Sequence, residues 1–104
     1  MDIRINTDNH ISNSVDFSAE LSDSFSEKLG KFSSHITTVE IYLCDENASK
    51  SGPDDKKCSI EVRLEGLSPL AASHNADTLR NAFNGASKKI ERVVKGAIER
   101  QKSF

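Results

Sequence analysis

Residues 88–102 read KKIERVVKGAIERQK, and six of these fifteen are Lys or Arg. Cations spaced 88, 92 and 95 recur at helical intervals, so on a helix they form one ridge. A ridge of that kind can neutralise successive phosphates of a nucleic-acid backbone. No aromatic residue alternates with the cations, which points away from base stacking on single strands and towards structured RNA read through shape and phosphate. A solvated helix face with ordinary salt bridges would carry the same residues, and cations suit a helix C-terminus in any case.

No other chemistry can be assembled. His10, His35 and His74 are scattered, and none has a ligand partner one helical turn away. Phosphate-cradling and nucleophile-elbow motifs are absent from the sequence. Asp54-Asp55 sits in a polar stretch where two solvated carboxylates are commonplace. His74, just ahead of the last helix, reads as an exposed linker residue. Cys44 and Cys58 form no C-x-x-C pair and read as separate thiols. The chain is expected to be no enzyme and to need no metal or cofactor.

The ridge belongs to a 104-residue chain of formal charge −2, with 36% hydrophobic and 29% charged residues. That length fits one domain spanning 1–104 with its own core. Charge is segregated along it. Residues 1–87 hold eight Lys/Arg against fourteen Asp/Glu, net −6, whereas residues 88–104 hold six against two, net +4. Such segregation is a statement about partners rather than fold. Neither a signal-peptide core nor a membrane-length apolar run is visible, so a cytoplasmic location without membrane contact is expected.

Periodicity supplies the elements that position the ridge. Asp2–Asn6 alternates, with Ile3 and Ile5 on one side, and reads as a strand followed by a turn over Thr7, Asp8, Asn9 and His10. Ser14 or Asp16 is the expected N-cap of a helix whose apolar stripe is Phe17, Leu21, Phe25, Leu29 and Phe32, with fraying beyond Gly30. Val39, Ile41 and Leu43 define a second strand. Cys58, Ile60, Val62 and Leu64 define a third, across a polar 45–56 loop. In a hairpin that keeps both apolar sets on one face, Cys44 and Cys58 point opposite ways.

Leu67–Ser73 reads as a fourth strand, confined by Pro69 to an edge or to its second half. The last helix should begin near Asn75 or Asp77, with Leu79, Ala82, Phe83, Ala86, Ile90, Val93, Val94 and Ala97 on its buried side. Lys88, Arg92, Lys95 and Lys102 then face outward, Lys89 and Arg80 lie on the flanks, and Glu91 can pair with Lys95. The expected fold is α+β, order βαβββα, a four-stranded sheet with two helices packed on one face.

This pattern resembles the bacterial ribosome hibernation-promoting factor and ribosome-associated translation inhibitor family. Lys28-Leu29-Gly30-Lys31-Phe32 resembles the family's ending of the first helix, and Leu70-Ala71-Ala72-Ser73 its fourth strand. Ala82-Phe83-Asn84 and Lys89-Ile90-Glu91-Arg92-Val93-Val94 resemble segments of its second helix in the same relative register. The chain ends at Phe104 and is similar to the short type, which lacks a dimerisation domain.

The resemblance implies a stress-response, stationary-phase factor that binds small-subunit rRNA in the mRNA/tRNA channel and silences and protects idle ribosomes. It implies no small-molecule substrate and a chain that is monomeric when free. Lys28, Lys31, Lys89 and Arg92 match basic positions of the family, and Lys88 and Lys95 join them by charge geometry. The departure is the first helix, where Glu20, Asp23 and Glu27 are acidic and Glu27 is placed to pair with Lys31. The acidic remainder would limit non-specific nucleic-acid binding. The competing reading is a diverged paralogue acting as a protein-interaction module, although Thr38, Glu40, Tyr42, Glu61, Arg63 and Glu65 make the open sheet face polar for a large interface.

Overall fold

A computed structural model describes residues 1–7, 15–45 and 56–101. The elements are β1 (Asp2–Thr7), α1 (Val15–Leu29), a single 3₁₀ turn (Gly30–Phe32), β2 (Ile36–Asp45), β3 (Lys56–Leu64), β4 (Leu70–Ala76) and α2 (Leu79–Gln101). The order βαβββα is the one the periodicity predicts. One sheet runs β1-β2-β3-β4, with β1 parallel to β2 and the other pairs antiparallel. The parallel first pair follows from topology: a helix separates β1 from β2, and a crossover of that length permits parallel pairing.

Alternation decides the faces. Val39, Ile41 and Leu43 of β2 face Val62, Ile60 and Cys58 of β3 in register, and all six are 0–1% exposed. Leu21, Phe25 and Leu29 from α1 and Phe83, Ala86, Ile90 and Val94 from α2 are equally buried and belong to the same core. Ile36 is also buried although it lies three residues before Val39, an odd spacing for one face. A register shift between Ile36 and Thr38 absorbs the extra residue. Thr37 is left exposed there, its hydroxyl donating to the Arg63 carbonyl at 3.1 Å.

Several boundaries differ from those expected. Gly66 adopts a positive φ of 78°, and Leu67 N–H closes the turn onto the Leu64 carbonyl at 3.2 Å. Leu67 through Pro69 therefore belong to the connection, and the edge strand β4 runs three residues further than expected, to Ala76. The last helix starts correspondingly later than Asn75 or Asp77. Thr78 is its cap, its hydroxyl accepting the Asn81 N–H at 3.0 Å. Asp16 lies inside the first turn of α1, where its charge favours the positive helix end, and is not a cap. Ser14, the turn residues Asp8, Asn9 and His10, Lys102, Asp54-Asp55 and the 46–55 part of the central loop lie outside the described residues.

His74 is not a linker residue. It occupies an inward position of β4, opposite Cys58, half-buried beneath α2. Val93 is 36% exposed rather than buried, while Ser87 and Ile98, absent from the expected stripe, are buried. Cys44 and Cys58 are not joined in a disulfide and lie on opposite faces of the sheet. Among the described residues no helix is long and apolar enough to cross a membrane.

Candidate nucleic-acid interface

α1 and α2 lie side by side and run in the same direction. Glu20 meets Arg80, Lys28 lies 5.9 Å from the centre of the Phe83 ring, and Lys31 meets Glu91 at 3.8 Å. These contacts follow the same order along both segments, 20, 28, 31 against 80, 83, 91. The opposite flank of α2 leans on β4: Lys89 Nζ donates to the Ser73 carbonyl at 3.0 Å, and Gly85 abuts His74. α2 thus has an α1 side, a β4 side and an outward crest.

The crest carries the cations. Lys88, Arg92 and Lys95 are exposed, and among the described residues none has an ion-pair partner. The expected Glu91–Lys95 pair does not form, because Glu91 turns towards α1 and holds Lys31. Glu27 is exposed and does not take Lys31, so the i+4 pair anticipated within α1 gives way to a pair between the helices. Lys31 also lies 5.2 Å from the centre of the Phe32 ring. Lys89 has its ammonium occupied by β4 yet remains exposed. Of the six cations singled out in the sequence, three stand on the crest of α2, Lys89 stands on the β4 side, and Lys28 and Lys31 stand at the seam between the helices.

Arg80 is held away from the crest. Its guanidinium forms a two-point pair with Glu20, the second contact being 3.1 Å from Nη2 to Oε2, and it lies over the Phe17 ring. The hydrogen bond from Arg80, reinforced by its charge, holds the Glu20 carboxyl below its usual range. Sequence spacing gives no sign of this pair, since its members are 60 residues apart.

The open sheet face offers a different surface. Arg4 pairs with Asp2 at 3.3 Å, Arg63 with Glu61 at 3.5 Å, and the Tyr42 hydroxyl donates to Glu40. That hydrogen bond, with partial desolvation and the Glu40 charge, raises the Tyr42 phenol above its usual range. The charges here satisfy one another within the sheet. Among the described residues, no cluster of three His, Cys, Asp or Glu side chains is arranged to hold a metal.

Two solved structures share this architecture. A ribosomal subunit interface protein from Coxiella burnetii matches with a TM-score of 0.71 at 18% identity, over 95% of this chain and 99% of that one. The N-terminal domain of Protein Y from Thermus thermophilus matches with a TM-score of 0.70 at 16% identity, over 91% and 97%. At such identities the likeness is one of fold. No curated protein matches the sequence. The model of the family described as Sigma 54 modulation protein / S30EA ribosomal protein matches residues 9–102, nearly the whole chain, and the protein belongs to that family.

Proposed function

We propose that this chain is a ribosome-associated translation inhibitor: a single-domain cytoplasmic factor, monomeric when free, that binds small-subunit rRNA in the channel used by mRNA and tRNA. By occupying that channel it silences and protects idle ribosomes under stress. The observation that carries the reading is the crest of α2, where Lys88, Arg92 and Lys95 are exposed and have no ion-pair partner among the described residues. Cations left unpaired on a chain of net charge −2 are available to displace the counterions of a phosphate backbone. Membership of the family and the name of the Coxiella burnetii neighbour support a ribosomal partner.

The contact residues on this reading are Lys88, Lys89, Arg92 and Lys95 on α2, with Lys28 and Lys31 at the seam. The test is co-sedimentation with purified small subunits over a salt series. Wild type should pellet with them and release as salt rises. Lys88→Glu/Arg92→Glu, which leaves the Lys89–Ser73 contact alone, should fail to pellet at salt concentrations where wild type is bound. If wild type stays in the supernatant even at low salt, the interaction-module reading replaces this one.

A further inference from the structure

The β4 side of α2 carries a repeat that the crest does not. Lys89, Val93, Gly96 and Arg100 follow one another at intervals of four, three and four, so they line one flank of the helix. Lys89 fixes the direction of that flank, since its ammonium donates to the Ser73 carbonyl of β4. Val93 is exposed on it, and Gly96 has no side chain to project. Arg100 folds back along the helix into the space this leaves: a Cβ on Gly96 would come within 3.3 Å of its Nη1.

The flank ends in a hollow of about 420 Å³ between α2 and the β3–β4 connection, lined by Leu67, Ser68, Leu70, Ala97, Arg100 and Gln101. Leu67, Leu70 and Ala97 supply apolar surface. Ser68 and Gln101 supply a hydroxyl and an amide, each able both to donate and to accept hydrogen bonds. Arg100 supplies a planar cation that has no ion-pair partner among the described residues, and no carboxylate lines the hollow. A nucleotide matches every part of this lining, because its base has flat apolar faces and a donor–acceptor edge and its phosphate is anionic. An acidic peptide side chain matches less of it, since a carboxylate only accepts hydrogen bonds.

Resting on the rRNA-binding reading above, we infer that the hollow receives one unstacked base of the rRNA while Lys88, Arg92 and Lys95 hold the backbone. Structured RNA presents such bases at bulges and loops. Arg92 lies two turns before Arg100, about 12 Å along the helix, so a strand on the crest passes within reach of the hollow. Aliphatic side chains and the guanidinium plane of Arg100 take the place of an aromatic platform. The crest thus supplies affinity through charge, and the hollow supplies contact with a particular base.

The test combines co-sedimentation with purified small subunits across salt and chemical probing of the base edges of the bound rRNA. Ser68→Phe, at an exposed position, fills the hollow. It should weaken binding about tenfold and leave the salt slope unchanged, because no phosphate contact is lost. A base that wild type protects should become reactive in the variant complex. Arg100→Lys keeps the charge and removes the plane, and should lower affinity severalfold, again at constant slope. Lys88→Ala/Arg92→Ala should instead reduce the slope by about two and retain the base protection in the complex that forms at low salt. Thermal melts confirm that each variant is folded. The inference is overturned if Ser68→Phe binds and protects as wild type does. It is also overturned if binding weakens while every base keeps its protection, which would assign the hollow to a protein segment. A wild type that does not pellet at the lowest salt overturns the rRNA reading itself, whereas one that pellets indistinguishably from both Ser68→Phe and Arg100→Lys overturns the base-binding hollow alone.

Discussion

The imidazole of His74 fills the space beside Gly85: a Cβ placed on Gly85 would come within 2.1 Å of His74 Cδ2. A strand residue that looked like linker and a glycine in mid-helix thus account for each other. Glycine costs an α-helix about 1 kcal/mol relative to alanine, and here it lets α2 settle onto the edge strand. Gly85→Ala should therefore destabilise the fold by about 1–2 kcal/mol net of its propensity gain, measured by urea unfolding. Adding His74→Ala should recover part of the loss. A single Gly85→Ala variant as stable as wild type would show that the ring swings aside at no cost.

The two thiols should differ sharply in reactivity. Burial pushes the Cys58 thiol up to about 12, while Cys44 is half-buried on the other face. A thiol-specific chromophore at pH 8 should modify Cys44 well before Cys58, which should react only on unfolding. The raised value also sets a pH dependence. The folded state keeps its proton more tightly than the unfolded one, so the contribution is intact below the ordinary thiol value of 9.0 and is lost as pH rises towards 12. Equal labelling rates in the native protein would contradict the buried position.

Glu20 titrates in the opposite sense. Its carboxyl is lowered chiefly by the Arg80 hydrogen bond, so its contribution is present above the ordinary value of 4.5 and lost as pH falls through the lowered one. Wild type should melt slightly above Glu20→Gln near pH 6. The gap should close in acid and shrink with added salt, because both partners are exposed. A gap that persists at low pH would mean that the glutamine variant lost packing rather than charge.

Thr78 makes a cap that the sequence alone misplaced. Thr78→Ala removes the acceptor for the Asn81 N–H and should cost about 1 kcal/mol, with Thr78→Ser nearly neutral. Chemical denaturation of the two variants checks both halves of that statement.

The element order was legible because alternation at Val39, Ile41, Leu43 and at Cys58, Ile60, Val62, Leu64 is strict, and because Phe83, Ala86, Ile90, Val94 and Ala97 keep helical period. The end of β4 was not. Its inward residues are Ala72, His74 and Ala76, small or polar side chains, with His74 packed against Gly85 of α2, so close packing there leaves no hydrophobic signature. The angular place of Lys88, Arg92 and Lys95 could be read from spacing, whereas the partners of Lys31 and Arg80 could not. Those pairs form between helices, and intrahelical rules name only the neighbours on the same turn.

The parallel pairing of β1 has a kinetic consequence. β2, β3 and β4 form an antiparallel meander whose paired residues lie 8 to 28 positions apart, whereas β1 pairs with β2 alone and at a constant separation of 36. Its inward side chains Ile3 and Ile5 are only partly buried. Loop-closure entropy makes such a strand the last to join during folding. Its amides should also be the first to exchange with deuterium from the native state, opening at a lower free energy than those of β3 at the centre of the sheet.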